Sequence, residues 1–237
     1  MKSIAGKAAQ AIAWLVLGAV SAVALVFWNP FAAPTIRAMP IVDVSANGLI
    51  KETFVINPKD VVAVTHSGAM PLPLTPLGIA PFNEPVIKDS LALLAKVRDT
   101  EGQIIGFALE SETLQEDSNL VLGKMRSTTD WTVVLPLRGT LLLTEIEDSG
   151  EVGKNVIASV VSGRTWTGPL DVNTTVGPLK NHRGLIVGGT GAFEGVTGEF
   201  VEFNRLLRWS KKDGAEGIIK LHLAYRKGNA PPILNDR

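Results

Sequence analysis

The chain has 237 residues, of which 46% are hydrophobic, and it carries 23 basic and 23 acidic side chains and no cysteine. Balanced charge without a long basic run argues against nucleic acid as a partner. The absence of cysteine excludes a disulfide framework, a thiolate metal site and a cysteine nucleophile. Stability must therefore come from a packed core, for which the chain is long enough.

The first predicted element is an apolar helix at the N-terminus. No charged residue occurs from Ala8 through Ile36. A helix over residues 8–28 would reach about 32 Å, enough to cross a bilayer core of about 30 Å. Lys2 and Lys7 precede it, so segment 1–7 is expected in the cytoplasm and the rest of the chain outside it, in the periplasm of a Gram-negative cell. The prediction is a membrane-anchored, single-pass protein.

A cleaved signal peptide is the alternative for the same segment. The run Ala22-Val23-Ala24 has the small-x-small pattern of a cleavage site. The apolar run nevertheless continues to Trp28, which is longer than a usual signal-peptide core and favours an anchor. Either interpretation exports the rest of the chain.

Residues 29–87 are predicted to be a proline-rich stalk and wrapping arm. Nine of the 14 prolines lie here, and proline is excluded from helix interiors and poorly suited to central strands. Within the arm, residues 50–56 and 61–65 are predicted to form short strands joined by a turn at 57–60.

Residues 88–228 are predicted to form a β-barrel domain, and residues 229–237 a C-terminal tail. Short apolar stretches alternate with turn signals throughout this region, a pattern typical of a meander or barrel. The predicted strands are 91–98, 103–112, 120–128, 132–146, 156–163, 185–187, 196–208 and 217–226.

A glycine-rich segment lies between two of these strands. Such clusters predict a tight turn, a bulge or close approach of two backbones. The spacing matches neither the dinucleotide fingerprint nor the Walker phosphate loop, which argues against nucleotide binding. The residues of this turn motif are Gly188, Gly189, Thr190, Gly191, Gly195 and Gly198.

The motif resembles the GG(T/A)GxFxGxxG signature of the allene oxide cyclase and dirigent protein superfamily, and the resemblance extends over residues 91–225. It implies an antiparallel eight-stranded barrel with an apolar interior, often trimeric. Members cyclise an unsaturated fatty-acid epoxide or steer the coupling of phenoxy radicals. With the N-terminal segment, this predicts an all-β fold, an antiparallel eight-stranded barrel preceded by one transmembrane helix, in a bacterial, membrane-anchored member.

Two charged residues are the candidate catalytic groups. Glu110 and Arg138 each occur in an otherwise apolar or small-residue alternation on a predicted strand. A charge inside an apolar barrel is costly unless it is paired or has a role, so the two are predicted to point inward and orient the polar end of a ligand. The alternatives are a structural ion pair, or a solvated position near a barrel mouth.

Four further residues are candidate ligand contacts. Arg126 and Arg164, near the ends of predicted strands, could hold a carboxylate through bidentate hydrogen bonds. Trp166 could cap a hydrophobic cavity, and Tyr225 lies on the apolar face of the last strand.

No metal or cofactor is expected, because His66, His182 and His222 are far apart in sequence and match no metal-binding spacing. The resemblance also transfers no activity. The cyclases use a cysteine with a glutamate and an asparagine, and dirigent proteins an early His-Asp pair with tyrosine and arginine. This chain has no cysteine and no early His-Asp, and its sole tyrosine is Tyr225.

Two functions remain open from the sequence. One is a barrel that binds a hydrophobic small molecule, such as an oxidised fatty acid, a terpenoid or an aromatic compound, and acts as a cofactor-free isomerase or cyclase. The other is a non-catalytic accessory or scaffold subunit that docks on a membrane protein complex. A homotrimer or a larger membrane complex is the expected assembly.

Overall fold

The computed structural model describes residues 42–65, 84–87, 90–118, 124–210 and 212–228, together with Trp14, Val16 and Val20. The chain divides into two units, Met1–Arg37 and Ala38–Arg237. Among the described residues, no helix has both the length and the apolar character needed to span a membrane. The predicted transmembrane segment 8–28 lies outside the described residues apart from the three just named, and the tail 229–237 lies wholly outside them.

Apart from a 3₁₀-helix at Gly191–Phe193, the described part of the second unit is built from strands and one α-helix. They are β1 (Asp43–Val44), β2 (Ile50–Thr65), β3 (Ser90–Arg98), β4 (Ile104–Leu114), β5 (Arg126–Leu135), β6 (Gly139–Asp148), α1 (Gly150–Ser162), β7 (Trp166–Asn173), β8 (Thr175–Gly177), β9 (Gly184–Gly189), β10 (Val196–Ser210) and β11 (Gly214–Lys227).

Eight of these strands form a closed antiparallel barrel. Around the sheet they follow the order β2, β11, β10, β9, β6, β5, β4, β3, and pairing of β3 with β2 closes the ring. This confirms the predicted all-β, eight-stranded antiparallel barrel. Three strands lie off the ring: β1 pairs with β2, β7 with the second half of β10, and β8 with the end of β6.

The middle of the barrel is filled by apolar side chains. Alternate residues of each strand point inward, as the period of two requires, and each large apolar side chain buried in this way contributes about 1.5–3 kcal/mol. The fully buried members include Phe54, Ile56, Trp131, Val133, Leu141, Leu143, Ile186, Phe200 and Leu221.

The predicted single strand 132–146 is wrong, because a tight turn divides it. Strand β5 ends at Leu135 and β6 begins at Gly139, which adopts φ +125°. The backbone N–H of Arg138 donates to the Leu135 carbonyl at 2.8 Å. Apolar residues continue across the turn with exposed Leu137 at its tip, so the alternation gave no sign of the break.

The predicted strand 156–163 is also wrong, since these residues belong mostly to helix α1. The carboxylate of Asp148 accepts a hydrogen bond from Gly150 N–H at 3.0 Å, and the Ser149 carbonyl accepts from Gly153 N–H at 3.0 Å. These local bonds start a helix in a stretch whose β-branched residues favour a strand. Of predicted strand 120–128, only residues 126–128 fall in β5, and 120–123 lie outside the described residues.

The arm prediction needs correction as well. Residues 50–65 form one continuous strand, β2, rather than two strands and a turn. Its pairing with β3 shifts register between Ile56 and Val61, so residues 57–60 are a bulge and Pro58 is accommodated there. The barrel therefore begins at Ile50 and not at residue 88.

Candidate functional site

One end of the barrel interior holds three polar residues, the paired cluster of Glu52, Arg138 and Tyr225. Both terminal nitrogens of Arg138 donate to the two oxygens of Glu52, one of them at 3.1 Å, and the Tyr225 hydroxyl donates to Glu52 at 2.9 Å. The guanidinium also lies 4.6 Å from the centroid of the Phe193 ring. The Glu52 side chain is completely buried, so this is a neutralised ion pair with each charge hydrogen-bonded.

The titration of this cluster is consistent with a fixed ion pair. Burial lowers the pKa of Arg138, but the hydrogen bond and charge of Glu52 outweigh it and the pKa is raised overall. Burial, followed by the Glu52 charge, raises the pKa of the Tyr225 hydroxyl. Arginine and tyrosine therefore both keep their protons at neutral pH.

The glycine motif places Arg138 by contacting its backbone. Ala192 N–H donates to the Arg138 carbonyl at 2.6 Å. Gly191 has φ +63°, and a Cβ built on it would lie 2.5 Å from the same carbonyl oxygen. Only glycine fits there. Gly189 has no positive φ, but its Cβ would lie 2.4 Å from the Thr140 carbonyl oxygen, so close approach is its reason for being glycine.

The opposite end of the interior holds five carboxyl groups, the glutamate cluster. Glu110 and Glu112 lie on β4, Glu145 and Glu147 on β6, and Glu202 on β10. On β4 and β6 the two glutamates are two residues apart, and on β10 Glu202 follows the buried residues Gly198 and Phe200 at the same spacing. Because every second side chain of a strand points to the same face, the glutamates point inward like the apolar core residues. All but Glu112, which is half-buried, are at least nine-tenths buried.

Hydroxyl, amide and indole groups donate to these carboxyls. Trp131 Nε1 and Thr175 Oγ1 donate to the two oxygens of Glu145, at 3.3 and 2.5 Å. Ser149 and Thr129 donate to Glu147. The Glu202 Oε1 atom accepts from Thr174 Oγ1 at 3.2 Å and from Asn204 Nδ2 at 2.7 Å.

No basic side chain pairs with any of the five glutamates within the part of the chain that the structure describes. Burial, reinforced by repulsion from neighbouring glutamates, raises the pKa values of Glu110, Glu145 and Glu147 well above the usual range. Burial and the Glu202 charge raise the pKa of Glu112 to about 7, and burial raises that of Glu202. Carboxyl groups of the cluster therefore stay protonated at neutral pH.

Apolar side chains lie directly beside the glutamates on the inner face. In the pairing of β3 with β4, Leu91 is opposite Glu112 and Leu93 is opposite Glu110. Both leucines are buried. On the other side of β4, Glu110 is opposite Trp131. This half of the interior thus offers an apolar surface and acidic groups side by side.

The structure separates the two residues predicted to be catalytic. Glu110 lies in the glutamate cluster, whereas Arg138 lies in the paired cluster with Glu52 as its partner. Tyr225, predicted independently, joins Arg138 at 3.3 Å. Sequence reasoning missed Glu52, although it alternates with the apolar residues Phe54 and Ile56 on β2.

The remaining predicted contacts do not join either cluster. Arg126 pairs with Asp148 at 3.3 Å at the start of β5. Arg164 is exposed after helix α1, and Trp166 is half-buried on β7, opposite Trp209 of β10. Glu145, Glu147 and Glu202 were also missed. The alternation of Leu141, Leu143, Glu145 and Glu147 on β6 was the available signal.

Comparison with known proteins gives a distant likeness only. No family model and no curated protein matches the sequence. The pterocarpan synthase dirigent protein GePTS1 is 13% identical, with a TM-score of 0.40 over 77% of this chain and 88% of its own. Its counterpart PsPTS1 is 12% identical, with a TM-score of 0.40 over 77% and 97%. A nonspecific heme-binding cyclase that catalyses a 4 + 2 cycloaddition in neoabyssomicin biosynthesis is 10% identical, with a TM-score of 0.34 over 79% and 71%. Likeness at this distance transfers no residue role to this chain.

Proposed function

We propose that the protein binds a small molecule with an apolar body inside the half of the barrel that contains the glutamate cluster. The observation that carries this proposal is the placement of Leu91 and Leu93 directly beside Glu112 and Glu110 on the inner face. An eight-stranded barrel is wide enough to hold one small ligand. Ligand sites are typically apolar with a few convergent polar groups, which this half of the interior provides.

The acidic groups define the ligand's polar end. A carboxyl group that carries its proton can donate a hydrogen bond to a carbonyl, epoxide or hydroxyl oxygen, and an ionised one attracts a cation. A carboxylate ligand would meet repulsion or have to take up a proton itself. We therefore expect a neutral or cationic ligand, and we expect an ionised fatty acid to be disfavoured.

The chemistry that we propose for such a ligand is cofactor-free isomerisation or cyclisation. Glu110 and Glu112 lie two residues apart on β4, so their side chains are on the same face of the strand. Such a pair can give a proton to one atom of a ligand and remove a proton from another, so the net change is an isomerisation without gain or loss of atoms. Glu110 thus remains a candidate catalytic residue, but its proposed role becomes proton transfer, with Glu112 as its partner in place of Arg138.

Binding can be tested with three compounds that share one terpenoid skeleton: geraniol, geranylamine and geranate. Titration would be followed by intrinsic tryptophan fluorescence and native mass spectrometry. We expect the alcohol and the amine to bind at least roughly tenfold more tightly than the carboxylate at pH 8, a difference of about 1.4 kcal/mol. Glu110→Gln should reduce this preference, whereas Lys220→Gln, at a residue beside the inward-facing Leu221 on β11, should not. Equal or tighter binding of the carboxylate would refute the proposal.

Proton transfer can be tested separately from binding. Incubation of a bound alcohol or epoxide in D₂O should lead to deuterium incorporation at carbon, seen by NMR, and Glu112→Gln should abolish it. Binding without deuterium incorporation would leave a binding protein and reject the isomerase.

An interaction module is the second candidate, and an exposed apolar surface on the outside of the barrel favours it. Leu94, Leu109 and Leu142 are each 40% exposed, and Phe107 is 44% exposed. In the sheet register Leu94 is opposite Leu109, and Thr132 lies between Leu109 and Leu142. Contiguous exposed apolar residues mark association surfaces. If this surface assembles a homotrimer or docks on a membrane complex, Leu109→Glu should reduce the mass measured by light scattering, and Lys220→Glu, on β11 and away from this surface, should not.

We also propose that residues 8–28 anchor the protein in the membrane with the barrel outside the cytoplasm. The absence of charge from Ala8 through Ile36 and the preceding lysines support this. A reporter fused after Arg237 should be active only in the exported compartment, and cytoplasmic activity would refute the orientation.

A further inference from the structure

Three carboxyl groups of the glutamate cluster come close enough together to hold one cation. Glu110, Glu147 and Glu202 each offer one oxygen, and the three oxygens lie within 4.8 Å of one another. At that limit an ion equidistant from the three oxygens would lie about 2.8 Å from each, so a small inward movement of the side chains would bring all three to the calcium–oxygen distances of about 2.3–2.6 Å. The residues come from β4, β6 and β10, which the closure of the barrel brings together.

One of these glutamates has an oxygen that accepts no hydrogen bond from a hydroxyl, amide, indole or basic group among the described residues. Glu202 is only 3% exposed, and its Oε2 atom is buried with no hydrogen bond from the described residues. Its Oε1 atom, by contrast, accepts from Thr174 and Asn204. A buried carboxylate oxygen left unsatisfied is costly. Thr174 and Asn204 fix the carboxyl group by one oxygen and leave the other available to a ligand.

Among the described residues, the surroundings of these three glutamates provide further acidic groups and no basic side chain paired with them. In the described part of the barrel, each ion pair lies elsewhere, and the one arginine of the paired cluster binds Glu52 at the opposite end. Five acidic groups in a buried space must be neutralised by protons or by a cation.

We propose that Glu110, Glu147 and Glu202, when they are ionised and no organic ligand is bound, form a binding site for one divalent cation that prefers oxygen ligands, Ca²⁺ or Mn²⁺. The three groups supply only oxygen, and the chain has no cysteine. Carboxylate sites suit Ca²⁺ and Mn²⁺, whereas imidazole and thiolate favour Zn²⁺ and Cu²⁺. Mg²⁺ demands near-ideal octahedral geometry and gives up its water reluctantly, so it should bind more weakly here.

Neighbouring residues would orient the ligands of such an ion. Thr129 and Ser149 donate to Glu147, and Thr174 and Asn204 donate to Glu202. Hydrogen bonds of this kind hold carboxylates in place around a metal ion and affect affinity. Binding should release protons, because carboxyl groups must be ionised to coordinate the ion.

The test uses the metal alone, so it is independent of any organic ligand. Protein treated with a chelator and dialysed would be titrated with MnCl₂ by electron paramagnetic resonance and with CaCl₂ by calorimetry in two buffers of different ionisation enthalpy. We expect one ion per chain with a Kd below about 1 mM, the weak end of the range for calcium sites, and proton release that makes the heat depend on the buffer. The absence of saturable binding of both ions would overturn the proposal.

Variants locate the site. Glu202→Gln and, separately, Glu147→Gln should weaken Mn²⁺ binding by roughly tenfold or more, with folding checked by circular dichroism. The matched control is Glu199→Gln, on the same strand but the opposite face, where Glu199 pairs with Arg183 at 3.3 Å. It should leave affinity unchanged. Equal loss in the control would mean surface binding and reject the site.

Discussion

The two ends of the barrel interior treat buried carboxyl groups differently. At one end, Arg138 neutralises Glu52 and Tyr225 donates a hydrogen bond to it. At the other end, the five glutamates have only neutral hydrogen-bond donors among the described residues. Both groups are buried on the same eight strands. A buried charge with a matched partner is explained by the fold alone, because the pair replaces the lost hydration. A buried group of like charges is not, since it opposes folding unless protons or a ligand neutralise it. The comparison therefore explains the first end by structure alone and is the reason why we propose a function for the second.

Breaking the paired cluster should give the largest effect on stability. Arg138→Met keeps much of the side-chain volume but leaves Glu52 buried without a counter-charge, so we expect a loss of about 3–5 kcal/mol in the free energy of unfolding. Urea denaturation followed by circular dichroism measures it. Adding Glu52→Gln to this variant should restore part of the loss because the uncompensated charge is removed. If Arg138→Met alone costs little, the cluster is not the structural element described above.

The glutamate cluster should instead make stability depend on pH. In the folded state burial raises the pKa of Glu112 to about 7, and burial raises the pKa values of Glu110, Glu145 and Glu147 well above the ordinary value of 4.5. The folded state therefore holds more protons than the unfolded state. Its stability should be greatest below about pH 4.5 for these groups and should fall as the pH rises through 7, with the shift of Glu112 alone corresponding to about 3 kcal/mol.

Urea denaturation at pH 5 and pH 8 in the presence of a chelator tests this dependence. The chelator matters because a bound divalent cation would neutralise the carboxylates at high pH and flatten the profile. Stability that rises between pH 5 and pH 8 without metal would contradict the pKa directions.

Much of the barrel could be predicted from sequence, and the limits have physical causes. Strand β3, the first half of β10 and the second half of β11 follow strict alternation, and the glycine motif marks the approach of its backbone to the Arg138 turn. Helix α1 was missed because local caps outweighed β-branched residues. The partner of Arg138 could not be read from sequence, because Glu52 is 86 residues away and barrel closure decides which interior residues meet.

The glycine motif supports the paired end, and a matched pair of substitutions sharpens this point. Gly191 and Gly195 both have positive φ, at +63° and +70°, but a Cβ at Gly191 would meet the Arg138 carbonyl oxygen at 2.5 Å, while Gly195 has open space. Gly191→Ala should cost about 2 kcal/mol from strain plus the clash, and Gly195→Ala about 1 kcal/mol from strain alone. Thermal unfolding would show the difference. Equal losses would mean that the contact with Arg138 contributes nothing.

The smallest expected effect is a gain in the free energy of unfolding, whereas the substitutions above cause a loss. Glu110→Gln keeps the size of the side chain and removes one of five acidic groups, so at pH 8 in the presence of a chelator we expect the protein to become more stable, on the order of 1 kcal/mol. At pH 5 the gain should disappear, because the raised pKa means that Glu110 is already protonated there. Glu52→Gln, the corresponding change at the paired end, should destabilise the protein at both pH values because Arg138 loses its counter-charge.

Urea denaturation of the two variants at the two pH values gives four changes in the free energy of unfolding, each with a predicted sign. If Glu110→Gln destabilises the protein as much as Glu52→Gln does at pH 8, both carboxyls belong to structural networks, and the assignment of function to the glutamate cluster fails.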